Sequence, residues 1–68
     1  MRKFKHNEEC RTEAENCKTA GDYFEAMRWF NSASAATLGH GKTESYQRLA
    51  KECAEIGGFK YDRWNFAD

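Results

Sequence analysis

Apolar positions recur at three- and four-residue spacing through three stretches of this chain, with glycines between and after them. Tyr23, Ala26, Met27, Phe30, Ala33 and Thr37 make the densest stripe, and Phe24, Trp29 and Ala36 widen it well around the cylinder. That breadth predicts a helix from about Asp22 to Thr37 with neighbours on at least two sides, the element against which the rest is laid. Phe4, Asn7, Cys10, Ala14, Cys17 and Gly21 give a narrower stripe of mostly small residues. They predict a helix from about Lys3 to Ala20 that fits one partner, with Glu8, Glu9, Arg11, Glu13, Glu15 and Lys18 outside. Tyr46, Leu49, Ala50, Cys53 and Ile56 predict a third helix from about Thr43, an apt N-cap, to Ile56. Arg11 with Glu15, and Glu44 with Arg48, lie four apart and can pair along their helices.

The stops rest on glycine, because the chain contains no proline. Gly21 can take the left-handed conformation that closes a helix, and Asp22 then offers an acceptor and a negative charge to the next one. The second helix ends in Asn31-Ser32-Ala33-Ser34-Ala35-Ala36-Thr37, side chains small enough to let another backbone approach. Leu38-Gly39-His40-Gly41 reads as a flexible connection, and Gly57-Gly58 ends the third helix. In the tail, residues 58–66, Phe59 and Tyr61 alternate with polar neighbours, and Trp64 and Phe66 continue the period after a shift of one. A lone strand cannot satisfy its backbone. The tail therefore either lies over the hairpin as a clasp or, the favoured reading, pairs with its equivalent in a dimer.

Composition makes self-association more pressing. The chain has 68 residues, enough for one domain that buries roughly 60% of its unfolded surface. It has no valine, one isoleucine and two leucines against ten aromatic residues, so rings must pack on small side chains and some look for partners. Net charge is zero, and acids balance bases within residues 1–22, 23–40 and 41–68 alike. The clustered basic footprint of a nucleic-acid-binding domain is missing, and Arg2, Lys3 and Lys5 form only a small basic start. No apolar run reaches the length of a membrane span and no signal segment opens the sequence, which points to the cytoplasm. The three cysteines suit a reducing compartment and read as small hydrophobes rather than metal ligands. Cys10 and Cys17 lie roughly 10 Å apart along one helix, too far to share an ion. A Cys–His nucleophile needs an oriented third group in a pocket, for which a helical chain this short has little room. No cofactor and no enzymatic activity are expected.

Ala14, Cys17, Gly21, Tyr23, Ala26, Phe30 and Ala33 resemble the signature positions of a tetratricopeptide repeat, in which small residues let two antiparallel helices approach and aromatics fill the gap between them. The likeness covers one repeat, so it implies a hairpin and not a superhelix. The Gly21-Asp22-Tyr23 turn, Glu25-Ala26, Trp29, Phe30 and Ala33, followed by Arg48 and Cys53, are similar to the ANR and PerC-like small regulators of enterobacteria and their phages or mobile elements. The likeness spans roughly residues 10–53. It departs at Gly39-His40-Gly41 and in the spacing from Arg48 to Cys53, which is one longer. It implies a regulator that acts by protein contact with, or modulation of, transcription factors.

The expectation is thus an all-α fold: a TPR-like antiparallel hairpin, a third helix and a short extended aromatic tail, dimeric, over residues 1–68. Its function is expected to be binding, to a second copy and to a host or regulatory protein, the latter through an amphipathic helix. A cleft between the second and third helices, floored by Trp29, Phe30, Tyr46 and Leu49, would receive it, and Phe24, Phe59, Tyr61, Trp64 and Phe66 would complete the partner and dimer surfaces. The alternative is a small DNA-associated regulator that places Arg2, Lys3, Lys5 and Arg63 on phosphate.

Overall fold

The structure, a computed structural model, describes residues 7–37 and 43–67. Three helices follow one another, α1 (Asn7–Thr19), α2 (Tyr23–Ala36) and α3 (Thr43–Gly57), and no strand occurs among the described residues. α2 packs against both α1 and α3, as the breadth of its apolar surface requires. The expected start of the first helix near Lys3, the basic residues Arg2, Lys3 and Lys5, and the Leu38-Gly39-His40-Gly41 connection lie outside the described residues. Thr43 is the first residue of α3 rather than its cap.

α1 carries Glu8 and Glu9 in its first turn and Lys18 in its last, which suits the helix dipole at both ends. Arg11 and Glu15 pair at 3.2 Å on its exposed face, a contact worth a few tenths of a kcal/mol. Glu44 and Arg48, placed equally well in sequence, make no ion pair among the described residues.

The turn from α1 to α2 closes with two hydrogen bonds around Gly21, whose φ is +84°. Gly21 N–H donates to the Lys18 carbonyl at 3.0 Å and Asp22 N–H to the Cys17 carbonyl at 2.8 Å, the nested pair that a left-handed residue makes possible. Asp22 then turns to the next helix, its Oδ1 accepting from Glu25 N–H at 3.3 Å. One residue thus ends α1 with its amide and starts α2 with its carboxylate. α3 ends the same way. Gly58 has φ +75°, its N–H donates to Glu55 O at 3.3 Å, and Phe59 N–H donates to Ala54 O at 3.1 Å. Phe59 is thereby aimed back at α2, where its ring meets Phe24 edge-on with centroids 5.2 Å apart. Gly57 makes that return possible: a Cβ there would run into the Phe59 ring and lie 3.1 Å from Tyr23 Cβ. At the end of α2 the Thr37 hydroxyl shares its proton between the Ala33 and Ser34 carbonyls.

The core sets Phe30, Tyr46 and Met27 on alanines and on Cys10 and Cys53, with Cys17, Tyr23, Trp29, Leu49, Phe59 and Tyr61 packed around it. This is the rings-on-small-residues core that the composition demands. Two expectations fail here. Phe30 and Tyr46 are 2% and 7% exposed, and Trp29 and Leu49 pack against the same cluster. Phe30 and Tyr46 are spent on the core and Trp29 and Leu49 are partly buried against it, so the four do not form the open cleft floor expected of them. The second is the strand form of the tail: it forms no strand and lies on α2 of its own chain, the clasp of the two arrangements open to it. Side chains of α2 supply the hydrogen bonds that a neighbouring strand would have given.

Candidate binding surface around Trp64

The tail is held by a polar stripe on α2 at helical spacing: Arg28, Asn31 and Ser32. The Asn31 amide donates to the carbonyls of Asp62 at 2.8 Å and Asn65 at 3.0 Å. Arg28 donates through Nε to Asn65 Oδ1 at 2.9 Å and through Nη2 to the Phe66 carbonyl at 3.2 Å, while Nη1 pairs with Glu25 at 2.6 Å. Ala67 N–H donates to Ser32 Oγ at 3.0 Å. Between these anchors the chain makes a tight turn. Asn65 N–H donates to Asp62 O at 3.3 Å, and Trp64 N–H donates to Asp62 Oδ1 at 3.0 Å, the local bond by which an aspartate starts a turn.

The turn is fixed from below and carries Trp64 outward. The indole is 69% exposed and the Arg63 guanidinium lies over it, 4.6 Å from the ring centroid, a geometry in which the cation is attracted to the ring face. Beside Trp64 is a groove of about 170 Å³ lined by Ser34, Ala35, Gln47, Arg63 and Phe66. A second depression shares Gln47 and Arg63 with it and continues along α3 past Glu44, Arg48 and Lys51, with Tyr61 at its tail side. The surface as a whole is an exposed aromatic ring, a small apolar hollow and a rim richer in cations than in anions.

Two buried polar atoms under the tail have no hydrogen-bond partner, Asn31 Oδ1 and the Tyr61 hydroxyl. Burial pushes the Tyr61 phenol above its ordinary value; Arg63 pulls it back and Asp62 adds to the rise. The Cys17 thiol is raised by burial and then by the charges of Asp22, Glu25 and Glu13. The Cys53 thiol is raised by burial, opposed by Lys18 and helped by Glu52. A raised thiol is a poor nucleophile at neutral pH. Among the described residues no group of three or more His, Cys, Asp or Glu side chains is placed to hold a metal ion.

The residues singled out from the sequence therefore separate. Trp64 and Phe66 come together with Arg63 at one surface. Phe24 is 46% exposed and Phe59 half-buried at the junction of the α1–α2 turn with the end of α3, where they share a groove with the 57% exposed Ile56. Trp29, Phe30, Tyr46 and Leu49 serve the core. Arg28, Asn31, Ser32 and Asp62, which build the surface, carry no apolar signal in the sequence. The trace they do leave is a short polar stripe, Arg28, Asn31 and Ser32, at positions i, i+3 and i+4 on the most apolar helix, together with the Asp62–Asn65 turn spacing. The small side chains after Phe30 do admit a close backbone, as expected from their size. The backbone of the tail is one that does so, bonded to Asn31 and Ser32.

No described helix is long and apolar enough to cross a membrane. Comparison with protein-family models, with curated proteins and with solved structures gives no match.

Proposed function

We propose that this chain is a small non-enzymatic module that binds another polypeptide through Trp64 and the groove beside it. The observation that carries this reading is the exposed indole on a turn whose backbone is clamped by buried Asn31 and Ser32 and half-buried Arg28. Leaving a large aromatic side chain in water forgoes roughly 2–3 kcal/mol of burial, yet the fold uses Asn31, Arg28 and Ser32 to keep the turn that displays it. Exposed tryptophan and arginine beside a hollow are the residue types that anchor protein interfaces. The resemblance of roughly residues 10–53 to small regulators supports the same class, a homodimeric accessory protein that acts by contact. The test is capture of a partner from host lysate by wild type and by Trp64→Ala. Capture lost in a variant with unchanged circular dichroism supports the proposal, and undiminished capture by the variant rejects it.

A homodimer is favoured by a separate observation, the exposed Phe24 and Ile56 in one groove at the end of the bundle. Sedimentation at micromolar concentration is expected to show a dimer that the Phe24→Ser/Ile56→Ser double variant turns into monomer. The rival reading, a DNA-associated regulator, has Arg63 on the described surface. It predicts duplex binding that weakens steeply with salt.

A further inference from the structure

We infer that the segment accepted beside Trp64 is acidic: a run of Asp or Glu that carries one large apolar side chain. The inference rests on the reading of Trp64 as a binding surface and names the chemistry of what binds there. The apolar hollow and the depression along α3 meet at Gln47 and Arg63, so a single extended segment can place an apolar side chain against Trp64 while its neighbours run past α3. Those neighbours meet Arg48, Lys51 and Arg63, with Glu44 as the one carboxylate among the described residues that line the depression. None of the three cations makes an ion pair among the described residues. Arg63 is already fixed over the indole ring, which places a charged fork at the junction between the apolar and the polar half. In a chain of zero net charge, this local excess of unpaired cations is what an acidic partner would be drawn to.

An aromatic ring beside cations is also what single-stranded nucleic acid meets in its binding proteins. That ligand needs positive charge along a track. Here the cations are confined to one patch, and α3 itself exposes Glu44, Glu52 and Glu55 against Arg48 and Lys51. The short patch fits a few carboxylates better than a run of phosphates.

The experiment pans a random peptide library against the full chain and measures selected peptides by the fluorescence anisotropy of a dye attached to the peptide, using wild type, Trp64→Ala and the double variant Arg48→Glu/Lys51→Glu. Both charge-reversed positions are exposed, and circular dichroism verifies that each variant is folded. The expected result is enrichment of Asp and Glu around an aromatic or leucine side chain. Binding is abolished by Trp64→Ala and weakened about tenfold or more by the charge reversal, with a comparable loss at high salt. Peptides that need Trp64 but are neutral or basic, and that ignore the charge reversal, would overturn the inference and leave Trp64 as a binding site. If no selected peptide depends on Trp64, the binding surface itself is rejected. A thymidine oligonucleotide that binds at this face more tightly than any selected peptide overturns the inference in favour of nucleic acid.

Discussion

Asn31 occupies the middle of the most apolar helix, is 1% exposed, and spends both of its amide donors on the tail. Its Oδ1 and the Tyr61 hydroxyl are buried without partners, and an unmet buried polar group costs about 1–3 kcal/mol. For Tyr61 the cost can be removed without loss of the ring. Tyr61→Phe is expected to leave the fold intact and raise stability by up to about 1 kcal/mol, read as a higher urea midpoint with an unchanged slope; a lower midpoint would mean that the hydroxyl is bonded in solution. Apolar residues such as Met27, Phe30 and Ala50 are legible in the sequence because helical periodicity records burial directly. Asn31 and Ser32 are not, since they are buried for their hydrogen bonds and their partners lie more than thirty residues away.

Among the elements, α1, α2 and their turn are readable because their signals are local. Gly21 and Asp22 each act within a few residues, as does Gly58. The tail misleads for the complementary reason. Phe59 and Tyr61 alternate as a strand would, but whether a backbone pairs with another strand or with side chains depends on what faces it. Here Arg28, Asn31 and Ser32 face it, and Asp62 bends it. Asn31→Ala should therefore act on an element rather than a residue. It removes two hydrogen bonds and leaves two carbonyls to water, a loss of about 2–3 kcal/mol, and it frees the Asp62–Asn65 turn. Limited proteolysis is expected to cut within residues 60–67 faster than in wild type while helical circular dichroism persists. Equal cleavage rates would show that the tail is held by its rings alone.

At the scale of the molecule, the shortage of branched aliphatics puts thiols and a phenol where larger proteins have leucine and valine. Cys17, Cys53 and Tyr61 all hold their protons more tightly in the fold than their ordinary values of 9.0, 9.0 and 10.0. The folded state therefore binds more protons than the unfolded state once the pH passes those values. This contribution to stability is complete below about pH 9 and is lost as the pH rises through the higher folded values. Urea midpoints measured from neutral pH upward should fall above pH 9, and Tyr61→Phe should lessen the part of the fall near pH 10; a midpoint that stays level through this range would contradict it. The clamp on α2 also bears on how the molecule is made. During synthesis α2 emerges well before the segment that saturates its polar side, so Arg28, Asn31 and Ser32 face water or other chains until residue 67 has been added. Docking of the tail onto α2 can only follow its synthesis, and until it happens Trp64 has no fixed platform from which to meet anything.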